Sequence, residues 1–175
     1  MSPLYTRHGD DGMTAWLGRG RLPKHHARIE ALGAVDEANA ALGLARALTR
    51  LPATATLIRA VQHDLYHLMS ELAASPETVE RFQRLTAERL QWLEAQLDHL
   101  TASLTLPAGF ILPGETPASA ALDLARTAVR RAERRVAALW HAEEIQNPLL
   151  LQYLNRLSSL CFALELAEIQ DGENP

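Results

Sequence analysis

At 175 residues, with 47% hydrophobic and 22% charged side chains, the chain has the make-up of one ordinary globular domain and is long enough to bury a sizeable core. A net charge of −4, with seven His counted neutral, argues against a broad nucleic-acid face but leaves room for a local basic pocket. The single cysteine, Cys161, lies in an apolar run, and no stretch approaches the ~18 uncharged apolar residues of a membrane span or the pattern of a leader, so a soluble cytoplasmic protein with a buried, reduced thiol is expected.

Residues 1–24 show no period and interleave Gly9, Gly12, Gly18 and Gly20 with Thr, Asp and Arg. Glycines let backbone N–H groups approach a ligand, and Thr6, Arg7 and Thr14 are phosphate donors by type; no GK[ST] follows at P-loop spacing, so a phosphate loop and a flexible tail both stand. The spacing predicts a first helix from about 24 or 25 to 50, with Ile29, Leu32, Val35, Leu42 and Leu44 on its apolar side. His25 and His26, adjacent and so ~100° apart on a helix, read as surface residues at its start. Asp36 lies off the apolar side, where it can pair with an Arg of a neighbouring helix or subunit. After Pro52 a second helix is predicted from about 53 to 74, built on Leu57, Val61, Leu65, Leu68 and Leu72. His63 and His67 are an i, i+4 metal pair by spacing, but no third ligand is placed, and the surface reading is preferred. Ser75-Pro76-Glu77 reads as a helix start, giving a third helix to about 104 with Phe82, Leu85, Leu90, Leu93 and Leu97 inward.

The stretch 105–117, TLPAGFILPGETP, cannot be helical, yet Phe110, Ile111 and Leu112 are strongly apolar for a loop; they plug a core or line an apolar ligand site. Thr116-Pro117 restarts a helix carrying Leu122, Ala125, Val129, Ala132, Val136 and Leu139 on one arc. Arg126, Arg130 and Glu133, spaced i, i+4, i+7, form a stripe beside that arc rather than opposite it, whereas Arg131 and Arg135 point to solvent. Such a stripe is either an ion-paired surface or a row of forked donors for phosphate, with Glu133 as partner or metal ligand. Asn147-Pro148 opens a last helix, apolar nearly all round and so central, interrupted by Asn155, Arg156 and Ser159; the tail from Gln170 reads as frayed. Five helices with short connections and no strand pattern predict an all-α antiparallel five-helix bundle, ferritin-like or four-helix-bundle in type with one extra helix, in a single domain over 1–175.

Together these motifs resemble the PduO-type ATP:cob(I)alamin adenosyltransferases. YTRHGDDGMT at 5–14 is similar to the family's YTRTGDxGxT, and RLPKHHARIEALGAVDEANAALG at 21–43 to its RVxKxxxRxEAxGxVDELNSxLG. GFILPGETPASAALDLARTAVRRAERRV at 109–136 resembles FxLPGGxxxAAxLHxARTxxRRAERxV, and YLNRLSSLCF at 153–162 resembles YLNRLSDxLF. Four motifs in the family's order make the resemblance specific.

The resemblance implies a homotrimer with active sites in clefts between subunits. It implies a nucleotide-binding loop at 1–24 and a helical bundle at 25–170. Thr6, Arg7, His8, Gly9, Thr14 and Lys24 would bind the ATP polyphosphate, completed by Arg130, Glu133, Arg134 and Asn155, with Mg²⁺ on the phosphates and Glu133 as its candidate protein ligand. Arg126, Arg130, Glu133 and Phe110 would carry catalysis. Phe110, Ile111, Leu112, Ser159 and Phe162 would meet the corrinoid, with Phe110 displacing its lower axial ligand, and Asp36 and Arg126 would form an intersubunit ion pair. The implied reaction moves the 5′-deoxyadenosyl group of ATP to cobalt and releases triphosphate. Cob(I)alamin is its own nucleophile, which agrees with a chain offering no convincing catalytic triad. A flavoprotein reductase and a cobalamin-dependent enzyme would be partners, and neither nucleic acid nor membrane is implied. The chain departs from the pattern at His8, Ala38, Glu115, Asp123 and Ser159. These departures motivate the alternative of a non-catalytic ATP- or corrinoid-binding carrier or sensor; a purely structural bundle is the third reading.

Overall fold

The computed structural model describes residues 4–172. Two short strands, β1 (Met13–Ala15) and β2 (Arg21–Pro23), precede five helices: α1 (Ala27–Leu48), α2 (Pro52–Leu72), α3 (Ala87–Thr101), α4 (Pro117–His141) and α5 (Pro148–Gly172). α1 packs on α2 and α4, α4 on α5, and α5 on α3, which is the expected five-helix bundle. The predicted apolar arc of α4 is buried along its whole length, from Leu122 to Leu139, and α5 buries Leu150, Tyr153, Leu154, Leu157, Leu160 and Leu164 against it. Each fully buried Leu contributes roughly 1.5–3 kcal/mol, so this pair supplies a large share of the cohesion.

Local caps set most boundaries. His26 caps α1 through Nδ1, which accepts from Arg28 N at 3.2 Å. Thr116 and Ser119 form a reciprocal capping box on α4, at 3.0 and 2.9 Å, with Pro117 at the first helical position. Asn147 Oδ1 accepts from Leu149 N at 3.1 Å before α5.

Three sequence expectations change. Residues 13–15 and 21–23 pair as an antiparallel hairpin, Met13 opposite Pro23, within the stretch expected to be irregular. Its three-residue strands are too short to show alternation. The third helix does not start at Ser75. Leu17 pairs with Ala74, its N–H donating to Ala73 O at 2.7 Å and its carbonyl accepting from Ser75 N at 3.2 Å. Gly18 is required there, since a Cβ would collide with Ser75 Cβ and Oγ. Ser75 Oγ turns to Glu77 Oε2 at 2.5 Å, only a 3₁₀ turn forms at Val79–Arg81, and the helix waits for Thr86, whose hydroxyl accepts from Arg89 N at 3.3 Å. Phe82 and Leu85 therefore pack from a connecting segment. Finally, α5 reaches Gly172 because Gln170 is tied to Thr105, donating through Nε2 at 2.7 Å and accepting from its N–H at 3.2 Å. The rest of the expected frayed tail, 173–175, and the first three residues of the N-terminal loop lie outside the described residues.

One buried polar cluster locks the bundle. Tyr153, fully buried, donates to Asp64 Oδ2 at 2.5 Å, and Arg89 Nε reaches both oxygens of Asp64 at 2.7 and 2.8 Å while its guanidinium lies 3.5 Å from the Trp92 ring centre. The cluster joins α2, α3 and α5. His63 and His67 take no part, and His67 stacks edge-on against Tyr66. Among the described residues no three His, Cys, Asp or Glu side chains converge as a metal site.

Candidate active site

Two adjoining depressions flank α4. The larger, about 820 Å³, is bounded by α3, α4, α5 and the 102–116 connection. Its walls are apolar, from Leu97, Phe110, Ile111, Phe162 and Leu166, with Asp123, Arg126, Arg130, Ser158, Ser159 and Glu165 at its floor and edge. The 102–116 connection is no core plug: Phe110 is 90% exposed to solvent in the lone chain, held over the cleft instead of under it. Leu112 is 72% exposed and does not line the cleft, so it is separated from the other expected corrinoid residues.

The second depression, about 540 Å³, is lined by Arg130, Glu133, Arg134, Asn155 and Arg156. These are the α4 stripe and the polar interruption of α5, brought face to face. Glu133 Oε1 accepts from Asn155 Nδ2 at 2.8 Å, and Asn155 Oδ1 accepts from Arg156 at 2.8 Å. Arg130 and Arg134 are exposed and have no ion-pair partner among the described residues, so their forks are available to an anion. Arg130 lines both depressions.

The N-terminal strap lies elsewhere. Lys24 shares a groove of about 450 Å³ with Glu30, Glu37, Arg131 and Arg135. Lys24 N donates to Gly12 O at 2.9 Å, and a Cβ at Gly9 would come within 3.0 Å of Lys24 Nζ, so the strap passes close under that ammonium. Arg7 adopts φ 63° with its guanidinium 5.6 Å from the Tyr5 ring centre. Thr6 Oγ1 accepts from His8 N at 3.4 Å, and Thr14 lies on β1. Within one chain, therefore, Lys24 of the expected ATP set lies beside Arg131 and Arg135, whereas Arg130, Glu133, Arg134 and Asn155 line a separate groove. Arg131 is paired with Glu37 and is not simply solvated.

Asp36 is exposed on α1 and forms no ion pair among the described residues. Arg126 is held within its own helix by Asp123 Oδ1, at 2.9 Å from Nε and 2.6 Å from Nη2. That contact uses one edge of the guanidinium and leaves other N–H donors for a further acceptor. Sequence reasoning treated Asp123 only as a departure from the family pattern and missed Glu165. It is one of two acids in LELAE, at 164–168, a segment whose charges read as surface. Glu165 is 1% exposed, and burial, with Asp123 adding to it against Arg126, pushes its carboxyl up to about 7. Cys161 is buried below the cleft floor, and desolvation pushes its thiol up to about 12, which makes it a poor nucleophile.

The cobalamin adenosyltransferase family profile matches residues 4–168. The chain is 40% identical over 171 residues to the corrinoid adenosyltransferase PduO of Salmonella typhimurium, an alignment covering 97% of this chain and 50% of that protein. It is 42% identical over 165 residues to a corrinoid adenosyltransferase of Bacillus subtilis, covering 91% and 83%. The chain spans about half the length of the PduO proteins of Salmonella typhimurium and Citrobacter freundii. Among solved structures, it is similar to a variant of the PduO-type ATP:corrinoid adenosyltransferase from Lactobacillus reuteri complexed with cobalamin and ATP, with TM-score 0.89 and 33% identity over 98% of this chain and 96% of that one. A second variant of that protein, complexed with ATP, gives TM-score 0.87 at 32% identity over 98% and 97%. With the profile spanning nearly every described residue and the Bacillus relative matched over most of both chains, the chain belongs to the cobalamin adenosyltransferase family.

Proposed function

We propose that this chain transfers the 5′-deoxyadenosyl group of ATP to the cobalt of cob(I)alamin, giving adenosylcobalamin and triphosphate. The observation that carries the reading is the shared wall: an apolar cleft of about 820 Å³ adjoins a groove holding the unpaired guanidinium groups of Arg130 and Arg134, and Arg130 belongs to both. The cobalt–carbon bond forms as the C5′–O bond breaks and its electron pair leaves with triphosphate. No protein nucleophile is needed. The protein's share is alignment of C5′ with cobalt and stabilisation of the leaving charge, which Arg130 and Arg134 supply as forked donors.

Glu133 and Asn155, already hydrogen-bonded, orient that groove, with Arg126 fixed by Asp123 beside it. A Mg²⁺ bound there would neutralise phosphate charge. Because no three protein ligands converge among the described residues, it would draw most of its ligands from phosphate and water, with Glu133 as the one nearby carboxylate, a pattern usual for this ion. Phe110, Ile111 and Phe162 form the wall that excludes water from the lower face of the corrin, so that a displaced axial ligand is not replaced and the Co(II) form becomes easier to reduce. Residues 1–24 serve as the nucleotide strap of a single domain.

Lys24 and the Arg130 groove lie on different faces of α4, so a complete ATP site calls for a second copy. Leu44 and Leu48 on α1 and Leu124 on α4, 48%, 41% and 54% exposed, supply an apolar face for it, and Asp36 is free to meet the open edge of a neighbour's Arg126. We read the assembly as a homotrimer. Among the described residues no helix is long and apolar enough to cross a membrane, and the lone buried thiol suits the cytoplasm, where a flavoprotein reductase would supply electrons and a cobalamin-dependent enzyme would receive the product.

The test is to mix the purified protein with ATP, Mg²⁺, cobalamin and a strong reductant and to follow the light-sensitive adenosylcobalamin spectrum. Arg130→Ala should lose about 10²-fold in kcat/KM for ATP, the worth of a charge-assisted forked contact. Bound ATP and cobalamin without adenosylation would instead support the carrier or sensor.

A further inference from the structure

The floor of the apolar cleft holds a carboxyl that the transfer reaction does not use. Ser158, Phe162 and Glu165 are spaced i, i+4, i+7 on α5 and line the cleft together. Glu165 is 1% exposed, and its Oε2 has no hydrogen-bond partner. Arg126, the nearest cation, is engaged by Asp123 instead. A buried carboxyl oxygen without a partner is destabilising, and a ligand supplying the missing bond would recover that loss.

The chemistry around it narrows the ligand. Asp98, Asp123 and Glu165 bring three acids to the cleft lining, against the cations Arg126 and Arg130 near its edge, and no Lys or His lines it. Such a wall disfavours a ligand carboxylate and suits neutral groups that both donate and accept. A corrinoid presents such groups around its rim as primary carboxamides.

We propose that Glu165 is a specificity-determining corrinoid contact, its carboxyl pairing with a primary carboxamide on the rim of the macrocycle. This rests on reading the cleft as the corrinoid site. In the protonated form, O–H donates to the amide carbonyl while the carboxyl C=O accepts from the amide N–H, so both bonds are made at once. The carboxyl titrates near 7 before the ligand arrives, and a macrocycle covering the cleft removes water and favours the neutral form further. Binding therefore takes up a proton above that pH. The other titratable or charged groups around Glu165 are Asp123, Arg126 and Arg130 on α4, Asp98 on α3 and Cys161 on its own helix; the 102–116 connection contributes none to the lining.

The experiment is a visible-absorption titration of cob(II)alamin into the full-length protein at saturating ATP and Mg²⁺, between pH 6 and 8, for wild type, Glu165→Gln and Glu165→Ala. Wild-type Kd should rise about tenfold across that range, as expected for one proton taken up with a pKa near 7. Glu165→Gln keeps one donor and one acceptor and should bind within about threefold of the wild-type value at pH 6, with a flat profile. Glu165→Ala should bind about tenfold more weakly at pH 6, also flat, the loss of two neutral hydrogen bonds. Melting of the ligand-free variants at or above the wild-type temperature separates lost recognition from lost fold. A cobalamin carrying one rim carboxylate should be rejected more strongly by wild type than by Glu165→Ala. Ser159→Trp, which fills the cleft from an exposed position, is the control for the underlying reading. If it leaves Kd unchanged, the corrinoid binds elsewhere and both readings fall. If it abolishes binding while both Glu165 variants keep wild-type affinity and pH profile, only the Glu165 assignment is overturned.

Discussion

Phe110→Ala separates recognition from folding. A Phe removed from a core costs about 3–5 kcal/mol in stability. Phe110 is 90% exposed, so almost none of that burial exists in the free chain, and truncation should change unfolding free energy by less than about 0.5 kcal/mol. Against a bound macrocycle the ring loses its exposure. Full burial of a Phe side chain contributes roughly 1.5–3 kcal/mol, or about 10- to 100-fold at 1.4 kcal/mol per decade. If that contribution serves to hold the axial ligand off cobalt, it is needed to reduce Co(II) and not to react Co(I). The assay is adenosylcobalamin formation in parallel from cob(II)alamin with an added electron donor and from chemically pre-reduced cob(I)alamin. The expected result is a loss of up to about 100-fold in the first and severalfold or less in the second, with an unchanged melting temperature. Equal losses in both assays, or a melting temperature lowered by several degrees, would refute the role.

Three further outcomes follow from buried groups. Glu165, raised from an ordinary 4.5 to about 7, holds its proton in the folded state where the unfolded chain has lost it, so its contribution to stability is full below 4.5 and is lost as pH rises through 7. In urea denaturation, Glu165→Gln should flatten the decline between pH 5 and 8 by roughly 2–3 kcal/mol, the free-energy equivalent of that shift over this range; Glu71, raised by burial in the same direction, should leave a residual slope. Asp64→Ala should destabilise by about 3 kcal/mol, since it strands both the Tyr153 hydroxyl and Arg89, whereas Tyr153→Phe should cost about 1 kcal/mol; denaturant midpoints check the ratio. Cys161, its thiol pushed up to about 12 by burial, should resist thiol reagents at pH 8 until denaturant is added.

What could be read from the sequence divides along the range of the interactions involved. The starts of α4 and α5 were legible because a cap acts within three residues: Thr116 with Ser119, Asn147 with Leu149. Ser75-Pro76-Glu77 carries the same signature and misleads, because its backbone is claimed by Leu17, more than fifty residues upstream. The stripe of Arg126, Arg130 and Glu133 was legible from helical period alone. The side of α4 on which the strap docks was not, since Leu17, Gly18 and Ser75 fix it through a contact that no period encodes. Glu165 and Glu168 were invisible for a related reason. Within LELAE they look like surface acids, yet Glu168 accepts from Thr49 at the C-terminal end of α1 and Glu165 faces the cleft.

Arg130 ties these threads to the chemistry. A transfer between two bound molecules needs their reacting atoms at near-contact distance, so the two sites must share a seam and not merely lie on one protein. The apolar cleft and the guanidinium groove share one, and an arginine rather than an apolar side chain forms it. An apolar seam would suit the corrin but would leave the departing triphosphate uncompensated at the moment charge builds on it. A seam of two or three cations would draw water into the cleft and restore the axial ligand that, on the proposed function, Phe110 excludes. One forked cation, unpaired in the free chain and flanked by Arg126 already neutralised by Asp123, meets both demands. It follows that Arg126 and Arg130 are not interchangeable. Asp123→Ala, by freeing a second cation at the cleft edge, should weaken corrinoid binding while leaving ATP affinity close to wild type, and the opposite pattern would show that the seam has been read from the wrong side.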